Sequence, residues 1–260
     1  MSISRRIFLS AAGAAPWLRV ASQGPSDGPA AVSDAFPAHD PALAQEMVGV
    51  AHGNTARVKE LLAARPALAN ASWDWGFGDW ESALGAASHT GNREIAALLL
   101  QAGARPDIFS AAMLGQIDVV RALVAAWPGI QRTRGPHGIT LLSHATAGAA
   151  REVTAYLESL GDADVPYTDE PLDDEAKRML VGTYAFGRAA GQQLIVSNQR
   201  GGLAIKREGR VERRLFHLGS RVFHPAGAEK VRIRFAAGTP APGMSIEDGA
   251  GTLTARRVGR

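Results

Sequence analysis

Cysteine is missing altogether from the 260 residues. That absence removes disulfides, thiolate nucleophiles, iron–sulfur clusters and cysteine zinc sites. It also removes the lipobox through which exported bacterial proteins are lipid-anchored. Aromatic residues are scarce, at 6%, so a place where they cluster carries information. No apolar run reaches about eighteen residues, and no segment is therefore long enough to span a membrane as a helix. The short catalytic signatures are missing too: no His-Glu-x-x-His, no Gly-x-Ser-x-Gly, no Walker loop and no Ser-x-x-Lys.

What is present is 46% hydrophobic, enough for one or two packed domains. The net charge of +3 hides an asymmetry: residues 34–173 carry 9 basic against 17 acidic side chains, and residues 174–260 carry 16 against 7. An acidic front and a basic back can attract each other or different partners, or simply be two solvated surfaces.

The stretch from Trp80 to Asp107 reads as one helix–turn–helix unit. Small residues at 83, 86 and 87 allow close helix approach, and Ile95, Leu98 and Leu99 form one apolar stripe. Gly91 suits a tight turn and Gly103 a helix stop. Similar units run from Ala44 through Leu62, from Ile108 through Val124 and from Thr140 through Asp164, with turn glycines at 53, 91, 115 and 148. With Ser82-Ala83-Leu84-Gly85 at the position of a Thr-Pro-Leu-His opening, the pattern resembles the ankyrin repeat. The resemblance implies a solenoid of about four repeats over residues 39–165, with partners bound by fingers and the concave face. The glycine steps of 38, 24 and 33 residues imply an enlarged finger before the second repeat and a missing one before the third.

The enlarged finger holds Trp73, Trp75 and Trp80, three of the five tryptophans, with Phe77 among them. Interleaved glycines and aspartates predict a turn-rich projecting loop. Two fates stay open for its rings: a contact surface or a lid folded over the first two repeats. A second, basic finger supplies Arg132, Arg134 and His137.

Near the N-terminus, Ser4-Arg5-Arg6-Ile7-Phe8-Leu9-Ser10 precedes a weakly apolar stretch and resembles a twin-arginine export signal. It implies a signal over residues 1–22, a Gly/Pro/Ser/Ala linker over 23–38 and residence in the periplasm.

After a linker at 166–173 and a short helix from Asp174 to Leu180, helical periodicity gives way to alternation. Val231, Ile233 and Phe235 alternate with Arg232 and Arg234, and Leu194/Val196 and Leu203/Ile205 flank a Gly201-Gly202 turn. About eight short strands predict a small antiparallel barrel or sandwich over residues 174–260, giving a multidomain α plus β chain. Val181-Gly182-Thr183-Tyr184 and the closing Ala255-Arg256-Arg257-Val258 resemble the lipocalin-like accessory domain found behind serine β-lactamase-like hydrolases. That resemblance implies an accessory, non-nucleophilic role.

No constellation for chemistry emerges. His52, His89 and His144 read as histidines that bond repeat backbone, and Arg207, Arg210, Arg213, Arg214, Arg232 and Arg234 as outward strand positions. The expectation is an exported, non-catalytic scaffold without metal or cofactor. It binds a protein partner through Trp73, Trp75, Phe77, Trp80, Arg132, Arg134 and His137, with no nucleic acid and no membrane span. The acidic and basic halves could contact each other. The alternatives are a carrier for a small apolar ligand in the β domain and, behind it, an unrecognised hydrolase.

Overall fold

The computed structural model describes residues 37–189, 191–199, 201–208, 210–249 and 251–259. Residues 1–36, with the Arg5-Arg6 motif and nearly all of the expected linker, lie outside the described residues. The chain is mixed α and β: helical pairs come first, and a closed barrel follows.

The pairs are α1 (Pro41–Val50) with α2 (Thr55–Ala64), α3 (Ala83–His89) with α4 (Arg93–Gln101), α5 (Ile108–Leu114) with α6 (Ile117–Ala126), and α7 (Leu141–Ala147) with α8 (Arg151–Ser159). Their starts are written in side chains. Asp40, Asn54, Ser82, Asn92, Asp107 and Thr140 each cap a helix by accepting from a backbone N–H of its first turn, a contact worth about 1 kcal/mol each. Two turn glycines are required by close approach. A Cβ on Gly91, at φ +69°, would lie 2.1 Å from Ala147 O, and one on Gly148 would lie 2.0 Å from Met113 O. Arg93 stitches the same turns together by donating to Gly148 O and Met113 O, each at 3.0 Å. As a result α7 packs on α3 as well as on α5, which a strictly linear stack of repeats would not do.

Between the first two pairs lies a two-stranded antiparallel ribbon, β1 (Ser72–Asp74) and β2 (Trp80–Ser82), with Trp73 opposite Glu81. The expected open loop is thus partly ordered by strand pairing, and the glycines at 76 and 78 confine the turn to its tip. Phe77 at that tip adopts a left-handed φ of +61°, a conformation costing a non-glycine residue roughly 1–2 kcal/mol.

The helix α9 (Asp174–Leu180) leads into β3 (Gly182–Ala185), β4 (Gln193–Gln199), β5 (Gly202–Arg207), β6 (Arg213–His217), β7 (Val222–Pro225), β8 (Arg232–Phe235), β9 (Gly243–Asp248) and β10 (Gly251–Val258). Consecutive strands pair antiparallel, and β10 returns to pair with β3, closing a barrel. Closure removes both sheet edges, and the sandwich alternative falls away. Leu194, Val196, Leu203, Ile205, Val231, Ile233 and Phe235 are all buried in its interior, as alternation requires. Arg257 ties the base together by donating to Met179 O, Val181 O and Ala241 O and to the Tyr184 hydroxyl.

The ribbon joins the two parts. Phe77 packs against the barrel core, and Asp79 forms an ion pair of 2.7 Å with Arg213, both side chains being almost fully buried. Arg213 is therefore not the outward strand residue that its sequence context implies. It opens β6 on the inward-facing register and meets a carboxylate delivered from outside the barrel.

Candidate metal centre

Four potential ligands converge between the first two helical pairs, the ribbon and the basic loop. His52 follows α1, Glu81 lies on β2, His89 ends α3, and His137 sits in the loop before α7. One ligand atom from each lies within 4.8 Å of all the others. Glu81 is the hub and is fully buried. Its carboxylate oxygens lie 2.9 Å from His89 Nε2, 3.4 Å from His137 Nε2 and 3.5 Å from His52 Nε2. A tetrahedron with bonds of about 2.0–2.1 Å has edges of about 3.3 Å, close to the two separations from Glu81 Oε2 to His137 and His52; His89 faces the other oxygen, Oε1.

The rings are oriented from behind. His52 Nδ1 lies 3.0 Å from Val48 O, which aims Nε2 inward. His137 Nδ1 lies 2.8 Å from Asp79 Oδ2, and Asp79 Oδ1 accepts from the His137 backbone N–H at 2.8 Å. A carbonyl or carboxylate behind a ligating imidazole is the usual arrangement at metal centres, where it fixes the tautomer. His137 also holds a left-handed φ of +61°, strain that the two Asp79 bonds sustain. On the remaining side Trp75 Nε1 donates to Glu81 Oε2 at 2.7 Å. The His52 and His137 side chains are each about a third exposed, at 32% and 30%, so an ion has a way in.

Electrostatics keep the acid charged. Burial alone would raise Glu81, but hydrogen bonds from His137 and His89 and the nearby imidazole charge outweigh it and hold the pKa at about 2. Burial alone would lower His137, but Asp79 and Glu81 overcome it and lift the pKa to about 9. Asp79 is likewise lowered, because His137 and Arg213 outweigh its desolvation. Behind the centre, His144 is fully buried and shares a hydrogen bond of 2.8 Å with Ser88 Oγ. Its own burial, and then the charge of His89, depress its pKa to about 3.

The residues expected to bind a partner are divided by the structure. His137 joins the centre. Trp73 and Trp75 pack half-buried against the first helical core, and Phe77 packs against the barrel. Trp80 alone of the ribbon's aromatics is widely exposed, at 63%. Arg132 is exposed beside Asp162. Arg134 is engaged within the chain, donating to Gly138 O and Val165 O and lying over the Tyr167 ring.

Sequence reading assigns His52, His89 and His144 to backbone bonding, but of the three only the His52 ring does this: the His89 ring meets Glu81 and the His144 ring meets Ser88, and the reading misses Glu81 and the grouping itself. One signal was available: His52 and His89 both stand at the end of the first helix of successive units. Stacked units bring such positions side by side, and those rings lie 4.9 Å apart.

No family model matches the chain, and no curated protein matches it. A solved structure described as "Crystal structure of SurE" aligns at 24% identity with a TM-score of 0.26. The alignment covers 44% of this chain, and this chain spans only 28% of the other's length. A superposition that poor carries no functional argument.

Proposed function

We propose that this chain is a non-catalytic metal-binding scaffold that holds one zinc-class divalent ion through His52, His89, His137 and Glu81. The observation that carries the reading is the convergence of three imidazoles on a buried carboxylate, with two of the imidazoles oriented from behind. Four protein donors complete a tetrahedral shell and leave no place for a reacting water, the pattern of a structural rather than a catalytic ion. Imidazole with one carboxylate suits zinc and its neighbours among the later transition metals. The ion would join the first two helical pairs to the loop before α7, so binding would stabilise the fold.

Around this centre we retain the ankyrin-like reading of the helical pairs, with β1 and β2 as the enlarged finger, and the twin-arginine signal with periplasmic residence. The capped pairs and their turn glycines support the repeat reading, and the packing of α7 on α3 marks a departure from it. A protein-partner surface remains the second reading, favoured by the exposure of Trp80.

The test is zinc titration of chelator-treated protein, by calorimetry and by metal analysis after gel filtration. One ion per chain is expected, with a thermal midpoint that rises on loading. At a free ion concentration about 100 times Kd the gain is roughly 2.7 kcal/mol. His89→Ala and Glu81→Gln should weaken binding at least tenfold. Absence of stoichiometric zinc, cobalt or nickel binding, or binding indifferent to both substitutions, rejects the centre.

A further inference from the structure

A second site lies where the ribbon tip meets the barrel. A cavity of about 490 Å³ opens there, with Trp75 and Phe77 on one wall and Phe186, Leu194, Ile246 and Leu253 on the other. That volume falls in the range of small-molecule sites, and barrel mouths are among the places where such sites occur. The interior below is filled by side chains, so the space is confined to the mouth.

Three features define what would fit. The wall is largely aromatic and aliphatic, and Leu253 and Val211, both lining it, are among the few large apolar side chains left exposed on the described surface. The rim is basic: Lys206, Arg207 and Arg210 line it, and none of them takes part in an ion pair among the described residues. The acid in the lining is Asp74, whose Oδ1 already accepts from the Gly76 N–H at 2.8 Å. Donors are also in surplus deeper in. Trp73 Nε1 and Arg213 Nη2, on side chains that line the cavity, are buried with no acceptor.

We infer that this mouth binds a small amphipathic monoanion, its apolar body against Trp75, Phe77 and Leu253 and its anionic head at the Lys206–Arg210 rim. An apolar wall stabilises the body in proportion to the area it covers. Guanidinium and ammonium groups without a carboxylate partner at the edge favour one sign of head group, Arg207 being already engaged with Gly191 O at 2.7 Å, and guanidinium matches a carboxylate or sulfonate in two-point contact. The site adjoins the metal centre, sharing Trp75, which also donates to Glu81, and its test is run in chelator so that the two readings fail separately.

The probe is 8-anilinonaphthalene-1-sulfonate titrated into the full chain, with competition by decanoate, decanol and decyltrimethylammonium and with tryptophan emission as a second signal. The expected result is saturable binding of one probe per chain, displaced by decanoate at least tenfold more effectively than by decyltrimethylammonium. Lys206→Glu with Arg210→Glu should weaken decanoate at least tenfold and leave decanol within about twofold. If that pair of changes abolishes cooperative unfolding, Leu253→Glu at the exposed rim decides, with the same tenfold loss expected. Failure of saturation, equal competition by the cationic detergent, or an unchanged decanoate affinity in a folded rim variant overturns the proposal. So does binding to phosphatidylglycerol vesicles without binding of free decanoate.

Discussion

Removing either partner of the Asp79–Arg213 pair should be costly, and the two removals should not cost the same. The pair is 2.7 Å long with side-chain exposures of 3% and 7%, so neither charge has water to fall back on. Breaking a buried pair from one side typically costs about 3–5 kcal/mol. With Arg213→Met, Asp79 keeps both bonds from His137, at 2.8 Å each, and the loss belongs at the lower end, about 3 kcal/mol. With Asp79→Ala, a buried guanidinium keeps only Ala226 O, at 2.9 Å, and the two His137 donors lose their acceptor. Each orphaned donor adds about 1–3 kcal/mol, so this change belongs at about 5 kcal/mol or above. The double variant should fall short of the sum by about 1–3 kcal/mol, as expected for directly contacting residues. Urea unfolding in chelator, followed by far-ultraviolet circular dichroism and by tryptophan emission, measures all four corners of the cycle. Equal costs for the two single changes, or strict additivity, would refute the asymmetry argued from His137. The milder Asp79→Asn should also weaken zinc about 10- to 100-fold, because it loosens the support behind His137.

Two further outcomes are expected. His144 has a lowered folded-state pKa of about 3, so the unfolded chain binds the extra proton between that value and about 6.5. Its contribution to stability is present above pH 6.5 and is lost as the pH falls. Acidification from pH 7 to 4.5 should cost about 2–3 kcal/mol through this side chain, and His144→Gln should remove that part of the slope; identical slopes in the two proteins, compared by urea midpoints in chelator, would refute it. Arg5→Lys with Arg6→Lys should hold the precursor in the cytoplasm on fractionation; normal delivery to the periplasm would end the twin-arginine reading.

Much of the architecture was legible because it rests on local signals. Caps such as Asn92 and Asp107, the turn glycines and the alternation around Ile233 each act within a few residues, and the helices and strands follow them. Barrel closure was less legible, since pairing of β10 with β3 depends on strand number and shear that no single strand reveals. The metal centre was least legible. Its ligands span residues 52 to 137, and each taken alone has an ordinary reading: a helix-end histidine, an acid in a loop, a histidine in a basic finger. Arg213 was misread for the same reason. Alternation says which face a strand residue takes, but not that a carboxylate from residue 79 waits at the barrel mouth.

The ribbon has a consequence for how such a chain can change over generations. Its coding segment lies between those of the first two helical pairs, yet its tip completes the core of the barrel encoded well over a hundred residues later. Exchange of the barrel for another domain would leave Phe77 without a socket and Asp79 without its cation. The fit at the seam is close as well: a Cβ on Gly227 would meet Asp79 Cγ and His137 Cα, each at 3.1 Å. The halves are therefore poor candidates for recombination as separate cassettes. Substitutions at 77, 79, 213 and 227 should be inherited as a linked set, and a descendant that lost the barrel would have to redesign its ribbon.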